Sequence, residues 1–129
     1  MRPRPIEEWH EIVRSRDLKR LENLLAEDAT FVSPVVHTPQ VGRAITMKYL
    51  AGALVVLNNE HFHYLNEWHG ERSSVLEFAT KIDGVEINGV DLVFWNEAGR
   101  ITLFKVMVRP LKAINMLHQM MGAQLAGAR

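Results

Sequence analysis

The stretch NGVDLVFWNEAGRI, residues 88 to 101, sets Asp91 beside Val90 and ahead of Leu92, Val93, Phe94 and Trp95. A carboxylate among apolar neighbours costs several kcal/mol unless it is paired, hydrogen-bonded or protonated. Desolvation favours the protonated acid and raises its pKa. An acid kept neutral near pH 7 can donate a proton or a hydrogen bond to a carbonyl. The competing reading makes Asp91 structural, bonded to backbone N–H groups near a strand start or paired with an arginine. A second group is His61, His63 and Glu67, spaced to share one face of a strand. Two histidines and a carboxylate could ligate a metal. The same alternation gathers Phe62, Tyr64 and Trp68 on the opposite face, which reads as the buried one. The histidines are therefore expected to be exposed or at a dimer seam, and no metal and no other cofactor is expected.

Composition removes other chemistries. There is no cysteine among the 129 residues, which excludes disulfides, thiolate nucleophiles and zinc–cysteine sites. The formal net charge is zero, so nothing draws the chain to nucleic acid or to an anionic membrane. The opening MRPRPIEEW lacks the apolar run of a signal peptide. The stretch YLAGALVVLNN is too short to span a bilayer. These features lead us to expect a cytoplasmic protein, with residues 1–129 forming one domain around one core.

The elements that must position Asp91 are read from periodicity. Ile6, Trp9, His10 and Val13 recur at helical spacing, which predicts an amphipathic helix over residues 5 to 15. Asp17 suits the N-cap of a second helix bearing Leu18, Leu21, Leu24 and Leu25. AEDATFVSPVV becomes extended, and Pro34 argues against a central strand there. Residues 43 to 57 predict a third helix. The period then changes to two: EHFHYLNEWHG, RSSVLEFATKI, VEINGVDLVFW and RITLFKVMV predict four antiparallel strands, with a hairpin at Asp83-Gly84. Pro110 opens a closing helix with Leu111, Ile114, Leu117 and Met121 on one face. Helices followed by strands indicate an α+β fold.

The last two strands are apolar on both faces. Asp91, Val93 and Trp95 share one face, and Leu92 and Phe94 the other; Leu103 and Met107 likewise oppose Phe104, Val106 and Val108. Antiparallel sheets usually solvate one face. The economical cover for the second face is an identical sheet, which predicts a homodimer through the outer face of the sheet. The alternative is cover by the chain's own helices.

DLKRLENLLAEDATFVSP, VGR before a helix, and DLVFWNEAGRITLFKVMVRP together resemble the SnoaL-like branch of the nuclear-transport-factor-2-like superfamily, relatives of ketosteroid isomerases. The resemblance runs over nearly the whole chain. It implies a cone of curved antiparallel sheet wrapped around the N-terminal helices, closed by the C-terminal helix over a deep apolar pocket. Asp91 stands where ketosteroid isomerases place an acid that donates to a developing oxyanion. Trp9 stands where they keep a tyrosine, and Ser33 where they keep the aspartate base. One of three positions matches, so the isomerase proton shuttle is not implied. SnoaL-type cyclases work with one acid/base aspartate, the nearer pattern. His37, in VVHTP, lies near the expected pocket mouth as a general base, a lid contact or a solvated loop residue.

The sequence thus predicts a pocket for a small, mostly apolar molecule, with Trp9, Phe78, Val93, Trp95 and Phe104 as candidate walls. The chemistry it allows is cofactor-free isomerisation, elimination or cyclisation. Asp91 would act as acid/base, assisted by Ser33 or His37. The rival is a non-catalytic ligand-binding or protein-interaction module of the same fold.

Overall fold

The computed structural model describes residues 2–127. Helix α1 (Arg4–Ser15) buries Ile6, Trp9 and Ile12 and stops where Arg16 takes a left-handed conformation, its N–H donating to the Ile12 carbonyl. Asp17 caps α2 (Leu18–Leu24), its carboxylate accepting from the backbone N–H groups of Lys19 and Arg20 at 3.0 and 3.2 Å. The chain then turns directly into strand β1 (Leu25–Val32). A two-residue strand, β2 (Gln40–Val41), precedes α3 (Arg43–Val56). The meander follows as β3 (His63–His69), β4 (Ser73–Ile82), β5 (Val85–Trp95) and β6 (Ile101–Arg109), and α4 (Leu111–Gly127) closes the order.

All six strands form one curved, open sheet in the order β2-β1-β6-β5-β4-β3. The expected all-antiparallel sheet needs correction, because β1 runs parallel to β6 and makes the sheet mixed. The plain order of three helices before any strand is also corrected, since β1 and β2 intervene ahead of α3. Leu25, expected on the second helix, is the first residue of β1. Pro34 does not keep β1 off the interior, because the strand ends at Val32 and its N–H groups pair before the proline arrives. Thr46 ties α3 to this strand by donating its hydroxyl to the Ala29 carbonyl at 2.9 Å.

The β4–β5 hairpin turns as expected at Asp83 and Gly84, both with positive φ, between the paired residues Ile82 and Val85. Gly89 lets Phe78 and the Met107 carbonyl approach the β5 backbone; a Cβ there would lie 2.6 Å from each. Alternation on β5 is unbroken: Ile87, Asp91, Val93 and Trp95 are buried, and Leu92 and Phe94 are not.

Strand β3 departs from simple alternation. Tyr64 pairs with Phe78 and Asn66 with Glu77, so Leu65 is an extra residue and the strand bulges. The bulge reverses the faces beyond it. Trp68, expected in the buried stripe with Tyr64, is instead 56% exposed, while Glu67 turns to the Tyr64 side.

Candidate functional site: a carboxyl at the end of a hydrogen-bond chain

A cavity of about 250 Å³ lies between the inner face of the sheet and helices α1, α3 and α4. Aromatic rings line it among more numerous aliphatic side chains: Trp9 from α1, Phe31 from β1, Tyr64 from β3, Phe78 from β4 and Phe104 from β6. Helix α4 contributes Leu117, His118 and Met121, and among the described residues no arginine or lysine lines the space. Phe104 packs edge-on to Trp9 with centroids 4.8 Å apart, and Phe62 stacks on Phe78 at 5.4 Å.

Asp91 reaches this cavity from the middle of β5 and is only 6% exposed. Its bonding runs in one direction. Trp9 Nε1 donates to the Tyr64 hydroxyl at 2.8 Å, and that hydroxyl donates to Asp91 Oδ2 at 2.8 Å. An indole N–H only donates, so the single hydrogen of Tyr64 is committed to the carboxyl. Asp91 Oδ1 receives no hydrogen bond among the described residues, and no arginine or lysine pairs with the carboxyl. Burial in apolar walls pushes the carboxyl from its ordinary 3.8 up to about 7, while the Tyr64 bond works in the opposite sense. Burial, and next the Asp91 charge, push the Tyr64 phenol well above its usual value. The group is therefore a carboxyl that gains and loses its proton near neutrality, with one oxygen free toward an apolar space.

The other candidates sort by position. Trp9, Phe78 and Phe104 line the cavity. Val93 and Trp95 share the inward face with Asp91 but pack in the core with Ile6 and Ile101, further along β5, and do not reach the cavity wall. Ser33 lines the cavity, yet its hydroxyl accepts from the backbone N–H groups of Val35 and Val36 at 2.9 and 3.2 Å, which closes the turn around Pro34. His37 is exposed on the loop beyond that turn and is not part of the wall. His61 and His63 are exposed, and the bulge carries Glu67 to the other face, so the trio does not converge. Among the described residues no group of three histidine or acidic side chains is placed to hold a metal ion. Likewise, no helix among them is long and apolar enough to cross a membrane.

Tyr64 is the hydrogen-bonding site residue that alternation hides among core aromatics, and Phe31 and His118 of the wall are likewise absent from the sequence-based candidates. A tyrosine inside a buried stripe needs a partner for its hydroxyl. That requirement, set beside an unpaired aspartate two strands away in the meander, is the available signal.

The fold has counterparts among solved structures. A steroid delta-isomerase from Pseudomonas aeruginosa superposes with a TM-score of 0.90 and 36% identity, covering 96% of this chain and 90% of that one. An uncharacterised bacterial protein with a cystatin-like fold from Silicibacter pomeroyi gives 0.86 and 31%, covering 94% and 84%. SalBIII, an epoxide hydrolase/cyclase-like enzyme of pyran ring formation in salinomycin, gives 0.66 and 19% over 81% and 88%. No protein-family model matches the chain, and no curated protein does. The chain belongs to the nuclear-transport-factor-2-like superfamily, that of the ketosteroid isomerase-like proteins, as the sequence resemblance implied.

Proposed function

We propose that the protein binds a small, mostly apolar molecule in this cavity and acts on it without a cofactor, with Asp91 as acid/base. The observation that carries the reading is the free Oδ1 of a carboxyl buried in an apolar wall, where burial pushes its pKa up to about 7. A protonated Asp91 donates from Oδ1 to a carbonyl or similar acceptor while Oδ2 keeps its bond from Tyr64. The reactions that need one such group are isomerisation, elimination and cyclisation. With about 250 Å³ of space, below the roughly 300–1,000 Å³ common for drug-sized ligands, the molecule is compact. Two such chains pair through the outer faces of their sheets, where Phe94 and Met107 stand exposed.

A non-catalytic binding module is the second reading, favoured by one observation. Ser33, which the resemblance sets in the place of the isomerase base, already accepts two turn N–H groups at its hydroxyl, and among the described residues no second carboxylate lines the cavity. The two readings part on one experiment. A compact cyclic enone is incubated with the protein in deuterated buffer, with binding followed by tryptophan fluorescence and exchange at carbons next to the carbonyl by NMR. Exchange that disappears in Asp91→Asn supports the enzyme. Binding without exchange supports the module, and no binding of any of a panel of such ketones and their alcohols sinks both.

A further inference from the structure

Behind the Trp9–Tyr64–Asp91 chain lies a second set of polar groups that the proposed chemistry does not use. The bulge at Leu65 turns Glu67 to the side of β3 that carries Tyr64. There Glu67 accepts from Arg2 Nε at 3.0 Å, meets His10 Nε2 at 2.5 Å, and lies 3.2 Å from His69 Nε2. His10 follows Trp9 on α1, and its ring stands edge-on to the Tyr64 ring, centroids 4.9 Å apart at 82°. Two consecutive residues of α1 thus hold β3 at two places: Trp9 takes the Tyr64 hydroxyl, and His10 takes Glu67 while its ring flanks the Tyr64 ring. Glu7 completes the charged groups around the cluster, 3.9 Å from Arg2. His69 is itself held by Ser74 of β4, at 2.7 Å from its Nδ1.

We infer that the Glu67–His10 pair is a positioning device that keeps the Tyr64 hydroxyl on Asp91, and so sets the proton affinity of the cavity carboxyl from outside the cavity. The inference rests on the reading of Asp91 as the working group. Its physical content is a division of labour. Tyr64 supplies the bond, and the pair fixes the ring from which that bond is made. A bulge that exposes a tryptophan and buries part of a carboxylate has little to recommend it for packing alone. It gains a purpose if Glu67 must stand beside α1.

The test reads the titration midpoint of Asp91 directly, by carboxyl-carbon NMR of aspartate-labelled protein between pH 4 and 10. Removing Glu67 has two effects of opposite sign. Loss of a nearby negative charge lowers the midpoint, whereas release of the Tyr64 bond raises it. We expect Glu67→Ala to raise the midpoint by about one pH unit, in the direction of Tyr64→Phe and by less. Glu67→Gln keeps the shape and an acceptor oxygen, so its midpoint stays level or falls. His10→Ala, which removes the ring from Tyr64 and leaves Glu67 charged, raises the midpoint as well and stands in if Glu67→Ala does not fold. Level midpoints in both alanine variants, while Tyr64→Phe moves the midpoint, overturn the positioning role and leave the Asp91 reading intact. A level midpoint in Tyr64→Phe itself overturns the positioning role too, because the bond would then exert no hold on the carboxyl. An Asp91 midpoint near 4 in the unmodified protein removes the reading of the site along with the inference.

Discussion

The two faces of β5 make opposite departures from what burial alone would choose. The inner face holds a carboxyl among aromatic rings, with one oxygen unbonded. The outer face holds Phe94 and, on neighbouring β6, Met107, 39% and 47% exposed. Each face leaves something unfinished that the described residues do not supply. The inner one lacks a polar atom at a defined place, so it speaks to chemistry. The outer one lacks only apolar area, so it speaks to association and says little about the identity of what covers it. Polar omissions are more informative than apolar ones because hydrogen bonds have direction and apolar contact does not.

The contrast is broken most directly by truncating one aromatic from each face. Phe104 is 1% exposed, between Trp9 and Phe31. Phe104→Ala should cost about 3–5 kcal/mol in urea unfolding. Phe94→Ala, measured dilute enough to keep the chain monomeric, should stay within about 1 kcal/mol. Equal costs would mean that the outer face is covered within the monomer after all.

Asp91→Asn tests the inner face by its pH dependence. The folded carboxyl titrates at about 7 against an ordinary 3.8, so across that window the folded state holds a proton that the unfolded state has given up. Stability from this group is full below about 4, falls as pH rises toward 7, and stays low above it. A gap of that width corresponds to a loss on the order of 4 kcal/mol. Burial pushes Glu67 up, but the bonds and charges of Arg2 and His10 outweigh it and hold it low, and the Arg20 bond holds Glu8 low; both act in the opposite sense, so the difference between wild type and variant is the quantity to follow. Asp91→Asn should equal the wild type near pH 4 and exceed it at pH 8. A variant weaker by roughly 3 kcal/mol at pH 8 would identify a carboxylate that was ionised and paired.

The outer face is sharpened by charge. Phe94→Glu with Met107→Glu should weaken self-association at least tenfold, about 1.4 kcal/mol, in sedimentation equilibrium, with unfolding of the monomer little changed. A wild type that sediments as a monomer at micromolar concentration would end the dimer proposal.

How much of this could be read beforehand follows the range of the interactions. Local signals carried well: the helix over residues 5 to 15 is α1 with one residue added, the Asp17 cap is made, and Asp83-Gly84 turns the hairpin. The inward alternation of Asp91, Val93 and Trp95 also stands. What failed to carry depends on partners distant in the chain. The parallel pairing of β1 with β6 joins residues some seventy positions apart, and nothing local to AEDATFV announces it. The cavity wall depends on where along β5 the helices sit, so Val93 and Trp95 face inward yet meet core. The bond of Tyr64 to Asp91 crosses β4, and the bulge that separates Tyr64 from Trp68 is a matter of register with that strand.

Strand β3 is where one element passes from the inner rule to the outer within four residues, and it provides the smallest and sharpest test. Were alternation unbroken, Trp68 would lie on the Tyr64 side and its truncation would cost about 3–5 kcal/mol, as for any buried tryptophan. With Leu65 as the extra residue, Trp68 faces outward. Trp68→Ser should then change stability by no more than about 0.5 kcal/mol. The measurement belongs in the Phe94→Glu, Met107→Glu background, where association does not contribute. Tyr64→Phe in the same background should cost about 2 kcal/mol, because the hydroxyl carries two bonds and its loss leaves Trp9 Nε1 without an acceptor, although Tyr64 is the smaller side chain. A reversed order, with Trp68 the costlier, would place the tryptophan inside, remove the bulge, and with it the reason for Glu67 to stand beside α1.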